Sequence, residues 1–330
     1  MPIRPNRTVR RARLALALLL ALATASAGAQ LHLPSLPLPA VPDRLDALSR
    51  DQLRDTGRRL LDRADGGDLL TLRLNQAAAL LRQHREELEA DPRGQPVVRR
   101  AILAWSPGAA GLAAARALGL SVVDERALGD GDTMVILRVP DQVDTAAALA
   151  QLRARDPQGV YDFDHIYTGS GAPSPHPGAP GGGANAAPAD TAATVRVGLI
   201  DSGIEREHDV FRDAAIVSWG CDGVAHPSAH GTAVAALMVG HSSRFQGVAP
   251  HATLYAADIY CDSGTGGSAA RIVGALDWLA QQRVAVINLS LVGPPNLILE
   301  RAVAGMVKRG HLLVAAVGND GPAAPPLYPA

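Results

Sequence analysis

Four runs of apolar residues most strongly limit what this chain can fold into: VRVGLI (195–200), TLYAADIY (253–260), VAVINLSL (284–291) and HLLVAAVGN (311–319). Each is apolar at consecutive rather than alternating positions, as expected of strands buried on both faces of a parallel sheet. Between them lie stretches with helical character, TAVAALMVG (232–240), SAARIVGALDWLAQQ (268–282) and LILERAVAGMVKRG (297–310), the last with Gly310 as a helix stop. Strands alternating with helices predict an open α/β domain over 194–330, whose site lies at the carboxyl ends of the strands. Asp201, Ser290 and Asn319 all fall at such ends.

The first residues predict export. Arg4, Arg7, Arg10, Arg11 and Arg13 form a basic segment, an apolar run follows from Leu14 to Ala23, and Ala27-Gly28-Ala29 supplies the small residues a signal peptidase reads. Residues 1–29 therefore read as a signal peptide cleaved after Ala29. The apolar run is too short to cross a bilayer, and no membrane span is expected once it is removed. The destination is periplasm, cell surface or medium. Net charge is -1, so bulk electrostatics imply no nucleic-acid partner. In an exported chain an even cysteine count favours a Cys221–Cys261 disulfide. The other reading is two unpaired small core residues. Two cysteines alone do not make a zinc site.

Between signal and α/β domain the chain falls into three parts. Residues 30–95 read as a helical leader, helix extending to about Glu89, with leucines at helical spacing and no evident chemistry. Residues 96–168 read as strand, helix, strand, strand, helix, strand: VVRRAILAW, PGAAGLAAARALG, LSVVDERALG, DTMVILRVP, DTAAALAQLRARD and GVYDFDHIY. That order is the ferredoxin-like split motif, with Asp144 or Thr145 starting the second helix. Residues 169–193 are rich in Gly, Pro, Ala and Ser and read as a linker.

Asp201 alone could be a phosphoacceptor, a metal ligand, a nucleotide-ribose contact or part of a triad, and His230 alone is most simply a structural histidine. Together they say more: Asp-Ser-Gly ends a strand, and His-Gly-Thr-x-Val-Ala opens a helix about thirty residues later. A nucleotide-binding α/β protein would need a phosphate-cradling glycine loop after the first strand, and DSGIEREH is not one.

The blocks VRVGLIDSGIEREHDVF, AHGTAVAALMVG, VINLSLVGP and LLVAAVGNDGP, in this order, resemble the subtilisin-like serine proteases. The resemblance implies an α/β parallel-sheet catalytic domain preceded by a ferredoxin-like α+β propeptide, here 96–168. It implies that Asp201 accepts the Nδ1–H of His230, that His230 is the general base for a serine, and that Asn319 donates a side-chain hydrogen bond to the oxyanion. It makes Ser290-Leu291-Val292-Gly293 and Thr265-Gly266-Gly267 the two backbone walls that flank an extended substrate. Val292 stands where the family usually has Gly and is expected to narrow the pocket or shift the substrate strand. Ala233 stands where the family often has a second His.

The segment GHSSRFQGVAP, counterpart of a calcium loop, lacks Asp, Glu and Asn, so neither calcium nor any other metal or cofactor is expected. The family's nucleophile sits in a later Gly-Thr-Ser-x-Ala helix start, which these 330 residues do not contain. The expectation is therefore a truncated precursor of a serine endopeptidase. Its partners would be protein or peptide substrates and its own propeptide, and it would be a monomer. The alternative is an inactive homologue acting as a protease-binding or inhibitory propeptide protein.

Overall fold

Helix runs only as far as Gln83 in the leader, where the sequence pattern had extended it to about Glu89. The computed structural model describes residues 66–129, 131–169, 195–318 and 327–330, all within one unit spanning 58–330. The expected signal segment, almost all of the linker and Asn319 lie outside the described residues. After α1 (Gly66–Gln83) the chain turns into β1 (Leu88–Ala90), antiparallel to the start of β2 (Pro96–Trp105). Residues 88–90 are instead drawn into the sheet, and Asp91 shapes the turn that follows them. Its Oδ1 accepts from the backbone N–H of Arg93 and of Gln95, each at 2.8 Å. Such a side-chain-to-backbone turn competes with helix and here closes a hairpin.

The chain continues through α2 (Ala109–Ala117), β3 (Ser121–Ala127), β4 (Thr133–Arg138), α3 (Thr145–Arg155) and β5 (Val160–Gly169). Asp144 caps α3, its side chain accepting from Ala147 N–H. The strands pair antiparallel in the order β5-β2-β4-β3. Strand alternation divides their side chains between two cores. Ile102, Ala104, Val135 and Leu137 share a core with Leu149 and Leu152 of α3. Leu103 and Met134 point the other way, into a core built by the following domain.

That domain begins with β6 (Arg196–Asp201), β7 (Ile216–Trp219), α4 (Ala229–Val239) and a short hairpin, β8 (His241–Ser242) with β9 (Phe245–Gln246). Then come β10 (Thr253–Asp258), β11 (Gly267–Ser268), α5 (Ala269–Gln281), β12 (Val286–Leu289), β13 (Leu291–Val292), α6 (Leu297–Lys308) and β14 (Leu312–Ala315). At the end of α6 the N–H of His311 reaches Met306 O and that of Gly310 reaches Val307 O, a Schellman turn.

Five of these strands form a parallel sheet in the order β14-β12-β6-β10-β7. α4 covers one face, with Ala235 and Val239 against Leu199 and Leu254. α5 and α6 cover the other, with Ile272, Leu276 and Ile298 sharing a core with Ile200 and Ile287. β6 comes first in the chain yet lies at the centre, so the winding reverses at its carboxyl end. Such a reversal opens a crevice in α/β sheets, and Asp201 ends the strand there.

Candidate active site

Asp201 is 1% exposed, and its Oδ1 collects three donors: Ser202 N–H at 2.6 Å, Ser202 Oγ at 3.0 Å and His230 Nδ1 at 2.9 Å. Oδ2 has no hydrogen-bond partner among the described residues. A carboxylate can only accept, so Nδ1 carries the proton and Nε2 is left with its lone pair. His230 is the second residue of α4. Gly231 makes that placement possible, since a Cβ there would lie 2.2 Å from Ser202 O. The hydrogen bond to Asp201 raises the His230 pKa above its usual value, burial opposes this, and the Asp201 charge adds to the rise.

Ser202 Oγ also accepts from Gly231 N–H at 3.1 Å, and Ser290 Oγ accepts from Asn288 Nδ2 at 2.7 Å. Both hydroxyls are thus engaged with groups other than the imidazole. Asn319 falls outside the described residues.

The two segments read as cleft walls come together through a third. β13 pairs antiparallel with β5, Leu291 opposite Gly169 and Val292 opposite Thr168. β11 pairs antiparallel with β5 too, Gly267 opposite Tyr167 and Ser268 opposite Ile166. The end of β5 therefore lies as an extended strand between the walls and finishes beside the imidazole: a Cβ built on Gly169 would lie 4.0 Å from His230 Cε1. Pairing continues in register through Val292, which is 9% exposed. Thr265, 6% exposed, and Gly266 form the loop leading into β11, Thr265 Oγ1 meeting Ser263 Oγ at 2.5 Å.

Tyr167 fills a pocket in the wall. It is fully buried, its hydroxyl donates to Pro294 O at 2.7 Å, and its ring packs where any Cβ on Gly293 would intrude, 2.5 Å from Cδ1. Only glycine fits there.

Sequence reasoning missed the carboxylates that fasten β5 to this domain. Asp164 Oδ1 accepts from Ala270 N–H at 2.9 Å, and Asp162 Oδ2 from Leu297 N–H at 2.8 Å, at the first turns of α5 and α6. Asn296 caps α6 through Oδ1 and donates from Nδ2 to Phe163 O and to His165 Nδ1. The signal was the charged run DFDH inside a strand whose neighbours are apolar.

Cys221 and Cys261 form a disulfide joining the loops after β7 and β10. Asp258 lies beside them, but sulfurs joined in a disulfide offer no thiolate for a metal.

Residues 192–330 match the Subtilase family. The chain is 38% identical over 136 residues to Subtilisin DY of Bacillus licheniformis, covering 39% of this chain and 48% of that protein. To Subtilisin Savinase of Lederbergia lenta it is 38% identical over 135 residues, covering 40% of this chain and 50% of that one. The chain thus spans about half the length of these curated relatives. Fervidolysin from Fervidobacterium pennivorans, a keratinolytic enzyme related to subtilisin, has a like fold: TM-score 0.52 at 16% identity, covering 70% of this chain and 41% of that one. Residues 192–330 thus match the Subtilase family and resemble the first half of its curated subtilisins.

Proposed function

We propose that this sequence is the precursor of an exported subtilisin-like serine endopeptidase, with Asp201 and His230 as two members of its triad and residues 96–168 as an inhibitory propeptide. The observation that carries the reading is the end of β5, paired on both sides by the cleft walls and ending against the imidazole of an Asp–His pair. A peptide backbone held so presents its carbonyls in fixed register to the groups at the strand ends.

In the proposed reaction His230 Nε2 takes the proton of a serine hydroxyl as that oxygen attacks the substrate carbonyl. The imidazolium formed is stabilised by the ionised Asp201, then returns its proton to the leaving amine. Asn319 is proposed as the oxyanion donor, and Ser290, Leu291, Val292, Gly293, Thr265, Gly266 and Gly267 as substrate-backbone walls. Proteins or peptides are the substrates. Export is supported by the basic and apolar N-terminal pattern. Among the described residues no helix is long and apolar enough to cross a membrane.

The test is labelling of the natural gene product that carries this sequence with a fluorophosphonate probe, beside casein hydrolysis. Labelling of one serine, lost in His230→Ala and Asp201→Ala, is expected. A folded product that labels nowhere and leaves casein intact overturns the endopeptidase reading and favours a non-catalytic, protease-binding role.

A further inference from the structure

The leader is the described segment to which the catalytic reading gives no task. α1 and β1 lie outside the β-α-β-β-α-β unit, yet they border both walls of the cleft. Gln76, Ala77 and Leu80 of α1 face Thr168, Gly169 and the wall at Val292–Pro294 across a cavity of about 290 Å³. Past the end of α1 the His84 ring packs on Gly264, beside the opposite wall: a Cβ on Gly264 would lie 3.0 Å from His84 Cε1. Glu87 and Leu88 line the same hollow as Thr265 and Gly266. The segment is then fastened at Asp91, 5% exposed, whose Oδ2 lies 3.3 Å from Nε2 of the fully buried His165 in β5. The leader therefore reaches from one wall to the other alongside the strand that fills the cleft.

We propose that residues 66–91 act as a strap, a second inhibitory layer that must lift before the end of β5 can leave the cleft. The inference rests on reading β5 as the occupant of the substrate cleft. Two features suit a detachable element. Most helical stability in proteins comes from tertiary packing rather than propensity, so α1 depends on what it packs against. The cavity beneath it means that this packing is incomplete. Elements with few buried contacts open first, while the Asp91 end stays anchored. Release is ordered: α1 lifts, the paired strand loosens, and β5 follows.

The test is amide hydrogen exchange on the 330-residue chain and two variants, Ala77→Glu on the helix and His84→Ala at the opposite wall. Exchange at 167–169 reports the cleft, and exchange at 198–200 in β6 reports the fold. The strap requires exchange at 167–169 at least about tenfold faster in the variants, with 198–200 unchanged. Protection at 167–169 that stays at the wild-type level, while the amides of 73–80 exchange faster, overturns it and leaves the filled cleft standing. Rapid exchange at 167–169 in the wild type overturns the filled cleft and the strap with it. His84→Ala removes atoms without adding any, so it decides the matter should Ala77→Glu disturb 198–200.

Discussion

Asp164 in β5 caps the first turn of α5 from 106 positions away, accepting the Ala270 N–H at 2.9 Å. Asp162, two residues earlier and on the same face of the strand, does the same for α6 at Leu297. The first-turn N–H groups of a helix lack internal partners and carry partial positive charge. One strand of the proposed propeptide thus supplies a carboxylate to each of two helices of the subtilase domain, and its end fills the groove beside His230. Fastening and the proposed inhibition use the same ten residues.

Stability should fall as pH rises from about 4 to 6. Burial pushes the Asp164 carboxyl up to about 6, against the opposing effects of the hydrogen bonds from Ala270 N–H and the Ser268 hydroxyl and of the nearby His165 and Arg271. A folded pKa raised above the unfolded 3.8 means stability present below 3.8 and lost as pH rises through about 6. The difference corresponds to about 3 kcal/mol. Urea unfolding across this range should show that slope, and Asp164→Asn should flatten it. An equally steep decline in the variant would assign the slope to another group.

Tyr167→Ala should be among the most damaging single changes in β5. It empties a fully buried aromatic site, at a cost of roughly 3–5 kcal/mol. Tyr167→Phe keeps the ring and loses only the bond to Pro294 O, worth about 1 kcal/mol. Gly293→Ala should act like the first, because its Cβ meets the ring at 2.5 Å. Equal unfolding midpoints for Tyr167→Ala and wild type would mean that the pocket is not filled in solution.

The parallel sheet and the Asp–His pair were legible because their signals are local. Apolar runs declare strands buried on both faces, and Asp-Ser-Gly and His-Gly-Thr each sit at an element boundary. What joins the parts was not legible. β11 and β13 are two residues long, too short to show any periodicity. Their common partner β5 lies about a hundred positions earlier, and nothing in sequence spacing pairs them. Asp162 and Asp164 look like solvent-facing residues until both faces of β5 are seen to be covered. The helix expected through Glu89 stops at Gln83 because residues 88–90 pair with β2 in a hairpin whose turn Asp91 closes.

His230 should titrate above its ordinary value in the wild type and lower in Asp201→Asn. The hydrogen bond to Asp201 is the main cause of the rise, and the amide removes both the ionised acceptor and its charge. The stabilisation from this pair is present below pH 6.5 and is lost as pH rises through the folded pKa. The proposed general base needs the neutral ring, so probe labelling should increase over that same rise. Ring-proton NMR titration of the two proteins measures the shift. Identical midpoints would mean that the Asp201–His230 hydrogen bond does not form in solution.

The Cys221–Cys261 disulfide should hold the cleft side of the sheet together. It spans 40 positions and ties the loops that follow neighbouring strands β7 and β10. Both cysteines have φ of 55°, in the left-handed region that costs a non-glycine residue about 1 kcal/mol or more. The cross-link helps fix that geometry. For a closed loop of this size, constraint of the unfolded chain is worth about 4 kcal/mol, with measured values commonly nearer 2–4. Cys221→Ser with Cys261→Ser should therefore lower stability by a few kcal/mol in urea. The loss should appear first as faster amide exchange in 219–224 and 259–264, because those loops are what the bond constrains. β14, at the far edge of the sheet, should keep its protection. A double variant that unfolds at the wild-type urea concentration would show that packing alone holds both loops.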